Sequence, residues 1–74
     1  MRYHRVNGAA IVARREAQGI SQKDLAQRCE IAAPYLSQIE NGIKQPSAPV
    51  AFRIARELGV SMGEIAEPAE EAAS

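Results

Sequence analysis

Nucleophilic or metal-ligating chemistry would fall first to Cys29 and His4, and each is the single residue of its type in this 74-residue sequence. A lone cysteine excludes an internal disulfide framework and a multi-cysteine metal site. Its position on the apolar side of a helix-spaced segment makes Cys29 a small core residue rather than a reactive thiol. His4 lies near the N-terminus, where a solvated imidazole is expected rather than a ligand. The sequence has no Ser/His/Asp set, no cluster of metal ligands and no glycine-rich phosphate loop, so it offers no apparatus for catalysis, a cofactor or a metal ion. What it does offer is charge. The formal net charge is zero, yet residues 1–56 hold all nine Lys and Arg against four acids, a net +5, while residues 57–74 hold five Glu and no base, a net −5. A basic body with an acidic end points to a charged partner, or to an end that screens its own body.

The elements that must position these charges follow from size and periodicity. A chain of 74 residues is expected as one domain with a marginal core, which calls for helices with short connections and would gain from oligomerisation. No run of about 18 apolar residues is present to span a bilayer. The run GAAIVA after Arg2 and Arg5 faintly suggests a signal peptide, but it is too short and meets Arg14-Arg15-Glu16, so a soluble cytoplasmic protein is expected.

Residues 22–41, QKDLAQRCEIAAPYLSQIEN, are the stretch the rest is built around. Leu25, Ala26 and Cys29 recur at helical spacing, as do Leu36 and Ile39, so each segment reads as one face of a short helix. Neither is long enough to stand alone. Two such helices joined by a tight turn make a helix-turn-helix, the unit that lays its second helix in the major groove of DNA.

The other elements follow from their caps. Asn7 caps a first helix over residues 8–18, which Gly19 stops. Ile11 and Arg15 share a face of it at i, i+4, and an inward Arg needs a partner. Ser21 caps helix 2, with Asp24 where a capping-box acid would sit. Helix 3 is expected over residues 33–40, with Pro34 tolerable in the first turn and Asn41-Gly42 ending it. Ser47 caps a fourth helix, with Pro49 in its first turn, that buries Ala51, Ile54, Ala55 and Leu58 and ends at Gly59. Ser61 caps a short fifth helix to about Ala66 that presents Met62 and Ile65. Residues 1–6 are expected to fray, with Arg2 and Arg5 either solvated or a basic arm for phosphates.

Arg15, Gly19-Ile20-Ser21-Gln22, Leu25-Ala26, Ile31, Leu36-Ser37-Gln38-Ile39-Glu40-Asn41-Gly42, Pro46-Ser47, Ile54-Ala55 and Leu58-Gly59-Val60-Ser61 occur in that order over about residues 8–66. Together they resemble the phage Cro and lambda-repressor-like (XRE-type) helix-turn-helix transcriptional regulators. The resemblance implies an all-α, compact five-helix DNA-binding domain over residues 1–66, with its helix-turn-helix at helices 2 and 3. Residues 67–74 are left as an acidic disordered tail.

The resemblance also assigns roles. Arg15 pairs with Glu40, with separate surface charges as the alternative. Arg15, Gln22, Asn41 and Lys44 contact DNA phosphates. Ala33, Pro34, Tyr35, Ser37 and Gln38 occupy the positions that read bases, although Ala32-Ala33-Pro34 stands where relatives often carry a polar cap and polar readers. Fewer direct hydrogen bonds and more apolar or shape-based readout are therefore expected. Glu30 departs from a turn glycine, at a cost on the order of 1 kcal/mol if the backbone there is left-handed. Met62 and Ile65 form a homodimer contact, or Ile65 packs in the core.

The implied function is sequence-specific binding of a double-stranded DNA operator by a non-enzymatic transcriptional repressor, as a homodimer on the nucleoid. Two other classes compete. One is an antitoxin or protein-interaction module whose acidic tail binds a basic protein partner. The other is a relic of the fold without DNA binding.

Overall fold

The computed structural model describes residues 3–68, and the side chains of residues 5–67. Strand β1 (Tyr3–Val6) leads into α1 (Gly8–Ala17), α2 (Gln22–Arg28), α3 (Ala33–Glu40) and α4 (Ala48–Leu58); a 3-10 turn (Met62–Glu64) and strand β2 (Ala66–Pro68) follow. Among the described residues four α-helices therefore stand where five were expected, and the fold is mostly helical rather than wholly so. The helix expected from Ser61 to Ala66 closes a single turn, with Glu64 accepting from the Ser61 N–H and hydroxyl. Those bonds, helped by Arg14 nearby, hold the Glu64 carboxyl below its usual value. Gly63 weakens any longer helix, and Pro68 biases Glu67 toward extended backbone.

That extended segment pairs antiparallel with β1, placing Arg5 opposite Glu67 and Val6 opposite Ala66. The N-terminal segment expected to fray is thus a strand from Tyr3 onward, and the boundary expected after Ala66 cuts through β2. Burial supplies the reason: Val6 and Ala66 both join the core, which repays the ordering of so short a ladder. Arg2 and residues 69–74, most of the expected acidic tail, lie outside the described residues.

The core gathers one stripe from each helix. Ile11, Leu25, Cys29, Leu36, Ile39, Ile54 and Ile65 have no appreciable exposure, with Ala26, Ala51, Ala55 and Leu58 filling between them. Ile65 is 0 % exposed within one chain, so it has no surface to offer a second copy; of the expected dimer pair only half-buried Met62 reaches the surface. Burial pushes the Cys29 thiol up from its ordinary value, reinforced by Glu57 and opposed by Arg53 and Arg56, as suits a packing residue.

Helix ends are set by local chemistry. The side chains of Asn7, Ser21 and Ser47 accept first-turn N–H groups of α1, α2 and α4. Asp24 does not complete a capping box at Ser21; its carboxylate accepts from Arg28 at 3.1 Å instead. At its C-terminus α2 ends in a Schellman pair of bonds, Ile31 N–H to the Ala26 carbonyl and Glu30 N–H to the Gln27 carbonyl. This motif needs a left-handed residue, which is Gly19 after α1 and Gly42 after α3, but Glu30 after α2, at φ 61°.

A left-handed Glu costs on the order of 1 kcal/mol, and its charge opposes the dipole at the helix C-terminus. Replacing Glu30 by Gly should raise stability by about 0.5–1 kcal/mol, the relief of strain exceeding the added unfolded-state entropy. Urea unfolding measures this directly, and a lower midpoint for Glu30→Gly would contradict it.

Candidate nucleic-acid interface

Leu36 and Ile39, both 0 % exposed, fix which side of α3 faces the core, and Glu40 is buried beside them. Pro34 and Asn41 are then exposed, Ser37 and Gln38 half-buried at the surface, and Ala33 and Tyr35 partly packed against the core. Of the five expected base readers, Pro34, Ser37 and Gln38 share the outer side, while Ala33 and Tyr35 divide their surface between core and solvent. The α3 N-cap, Ala32, makes no side-chain capping bond.

Three charged or polar side chains meet behind this helix. Arg15 Nε donates to Glu40 Oε2 at 2.9 Å and Nη2 to Glu40 Oε1 at 3.2 Å, a bidentate fork. Arg15 Nη1 donates to the Ile20 carbonyl at 3.0 Å, and Gln22 Nε2 donates to Glu40 Oε1 at 2.9 Å. One carboxylate therefore ties α1, the start of α2 and the end of α3. The Arg15 and Glu40 side chains are only 13 % and 3 % exposed. So small an opening suits Arg15 to orienting α3 rather than to meeting a phosphate head-on, and Gln22 has one donor committed inward.

Asn41 and Lys44 sit at the other end of α3, both exposed. Asn41 Nδ2 lies 3.4 Å from the Ser37 hydroxyl, a weak bond at an exposed site. The Ile43 and Lys44 N–H groups donate to the Gln38 carbonyl at 2.8 and 3.2 Å, which wraps the loop back onto the helix. Arg14 pairs with Glu64 and Arg28 with Asp24, both at half-exposed sites, whereas among the described residues Lys23 and Lys44 make no ion pair.

Sequence reasoning passed over several anchors of this arrangement. Arg53 Nη1 donates to the Cys29 carbonyl at 3.2 Å and Gln18 Nε2 to the Leu58 carbonyl at 2.6 Å, fastening α4 to the ends of α2 and α1. Gln45 bonds β1, and Gly8 lets α1 approach α3. These are contacts between distant residues, and the only local signal was polar type at Arg53, Gln18 and Gln45 and the absent side chain at Gly8.

A short α2, a turn over residues 29–32 and an α3 held by its inner side define a helix-turn-helix domain of the lambda-repressor-like class. The Helix-turn-helix family model matches residues 11–65, and the chain belongs to that family. It is 44% identical over 54 residues to an uncharacterized HTH-type transcriptional regulator of Mycobacterium tuberculosis, covering 73% of this chain and 39% of that protein. The chain thus spans about two fifths of the length of that relative. Among solved structures it is similar to the clp gene regulator ClgR from Corynebacterium glutamicum, with TM-score 0.74 and 30% identity over 77% of this chain and 61% of that one. It is also similar to SinR, the master regulator for biofilm formation, solved in complex with DNA, with TM-score 0.72 and 31% identity over 77% of this chain and 95% of that one. A further SinR structure, its N-terminal DNA-binding domain from Bacillus subtilis, matches comparably. Among the described residues no helix is long and apolar enough to cross a membrane, and no group of three or more His, Cys, Asp or Glu could hold a metal ion.

Proposed function

We propose that this chain is a sequence-specific, double-stranded-DNA-binding transcriptional regulator acting as a repressor, with α3 as the element that enters the major groove. The observation that carries the reading is the division of α3: Leu36, Ile39 and the Glu40 cluster anchor one side, leaving Pro34, Ser37, Gln38 and Asn41 on the other. Likeness to a regulator solved in complex with DNA supports DNA as the ligand. Phosphate contacts fall to Asn41, Lys44, the outward part of Gln22 and, from the first turn of α2, Lys23, with Arg15 setting helix orientation. Gln38 can bond a base edge; Pro34, with the exposed parts of Ala33 and Tyr35, can pack on thymine methyl groups. No catalytic step or cofactor enters, and the regulator works on the nucleoid in the cytoplasm.

A single module of this size buries limited surface on DNA. A homodimer on a two-fold operator with half-sites about 34 Å apart is part of the proposal. With Ile65 internal, its contact would draw on exposed apolar residues, of which Ile43 and Phe52 are the large ones among the described residues.

Selection of bound sites from a random duplex pool tests the reading, with affinity then followed against salt. An enriched two-fold motif is expected, with a steep fall in affinity as salt rises, each phosphate contact contributing about −0.9 to the logarithmic slope. Asn41→Ala should weaken binding uniformly across sequences, whereas Gln38→Ala should relax the preference at one base pair, by about 1–3 kcal/mol of discrimination. No enriched motif, together with unchanged binding by both variants, would leave the domain without this function.

A further inference from the structure

The loop from α3 to α4 is held at two places, and the second lies on an element remote from the helix-turn-helix. Its first hold is the Gln38 carbonyl, which accepts from the Ile43 and Lys44 N–H groups. Its second is Gln45. The Val6 N–H donates to Gln45 Oε1 at 2.6 Å, and Gln45 Nε2 donates to the Val6 carbonyl at 3.2 Å. A carboxamide offers one acceptor and paired donors in a plane, so here it takes the part of a strand residue and closes the outer edge of β1 at Val6. Val6 is itself fixed by burial and stands opposite Ala66 in the ladder with β2.

Lys44 is the last residue of the first hold and adjoins the second. Its side chain is exposed and makes no ion pair among the described residues; its own N–H is pinned to α3, and the side chain of the next residue, Gln45, is tied to β1. A loop cation contributes more to binding when its backbone is already ordered, because the entropy of fixing it is not lost on association. The geometry points to Gln45 as a positioning residue for the DNA-binding reading above, on which this inference rests: its bond pair with Val6 seats Lys44 beside the C-terminal end of α3, so that the terminal strands set the strength of a phosphate contact they do not make.

Other side chains at position 45 fail in identifiable ways. Glu keeps an acceptor for the Val6 N–H but sets a second oxygen against the Val6 carbonyl. Asn offers the right groups on a side chain one methylene too short, and Ala offers neither group.

The test is a double-mutant cycle on the full chain with an operator duplex from the selection above, using Gln45→Ala, Lys44→Ala and the pair. With Lys44 present, Gln45→Ala should lower affinity about tenfold, the cost of ordering one or two loop residues on binding. In the Lys44→Ala background the same change should cost less than twofold. Gln45→Glu should behave as Gln45→Ala does, and in the free protein amide relaxation at Lys44 should show greater mobility in both variants. Equal losses in the two backgrounds would overturn the proposal, as would a lowered melting temperature with unchanged affinity or an unaltered Lys44 amide. Operator binding by the wild-type chain separates the two levels: its absence removes the DNA-binding reading and this inference together, while binding with an additive cycle removes this inference alone.

Discussion

Glu40→Ala should lower the stability of this domain by about 3 kcal/mol, roughly 15 °C in melting temperature for a chain of this size. The cost arises less from losing a favourable pair than from what remains. What remains is Arg15, a guanidinium deprived of its carboxylate. With 13 % of its side chain exposed, it would keep only the Ile20 carbonyl as an acceptor. Gln22 would lose its acceptor in the same step. Glu16 serves as control: it is exposed on α1 and makes no ion pair among the described residues, so Glu16→Ala should fall within about 0.5 kcal/mol of wild type. Thermal unfolding of the two variants side by side decides the matter, and shifts within a few degrees of each other would mean the fork is not formed in solution.

The same cluster separates stability from orientation. Replacing both charges at once, as in Arg15→Met with Glu40→Leu, removes the uncompensated ion and should recover most of the loss, since a buried pair often breaks even against apolar residues of similar volume. If the fork orients α3, that double variant should fold well and still bind DNA weakly.

Sequence reasoning located the parts that depend on neighbours and missed those that depend on distance. The four α-helices were legible because each begins at a residue able to serve as a cap or ends at one able to turn left-handed: Asn7, Ser21 and Ser47 at starts, Gly19, Gly42 and Gly59 at stops. An inward Arg15 was legible from Ile11 one turn earlier, but its partner lies 25 residues away and was reached through resemblance alone. The strands were not legible. Each has only three or four residues, too few for alternation to show, and Val6 meets Ala66 across nearly the whole chain. Ser61 signalled a helix start correctly, but the pull of Ile65 and Ala66 into the core overrode continuation, and that pull exists only once the other helices are in place. Gln45 reads locally as a loop amide; its match to Val6 spans 39 residues.

Gly8 is the second position where local and tertiary preferences oppose each other, and there magnitude decides. On propensity alone Gly8→Ala should stabilise α1 by up to about 1 kcal/mol. A Cβ at this position, however, would fall inside the contact shells of the Ile39 and Glu40 carbonyl oxygens and 2.6 Å from the Glu40 carbonyl carbon. All three are backbone atoms, so no rotamer change relieves the overlap; α1 and α3 would have to part by about an ångström. Overpacking of this kind costs about 1–3 kcal/mol, and here it would also stretch the Arg15–Glu40 fork that joins the same two helices. The net expectation is a loss of about 1–2 kcal/mol, opposite in sign to the propensity forecast. Ala13→Gly, at an exposed site in the middle of the same helix, supplies the scale for propensity and should cost about 1 kcal/mol. Because Gly8→Ala shifts α3 as well, its operator affinity should fall even at temperatures where the variant is fully folded. A Gly8→Ala protein as stable as wild type would mean that the start of α1 does not lie against the last turn of α3.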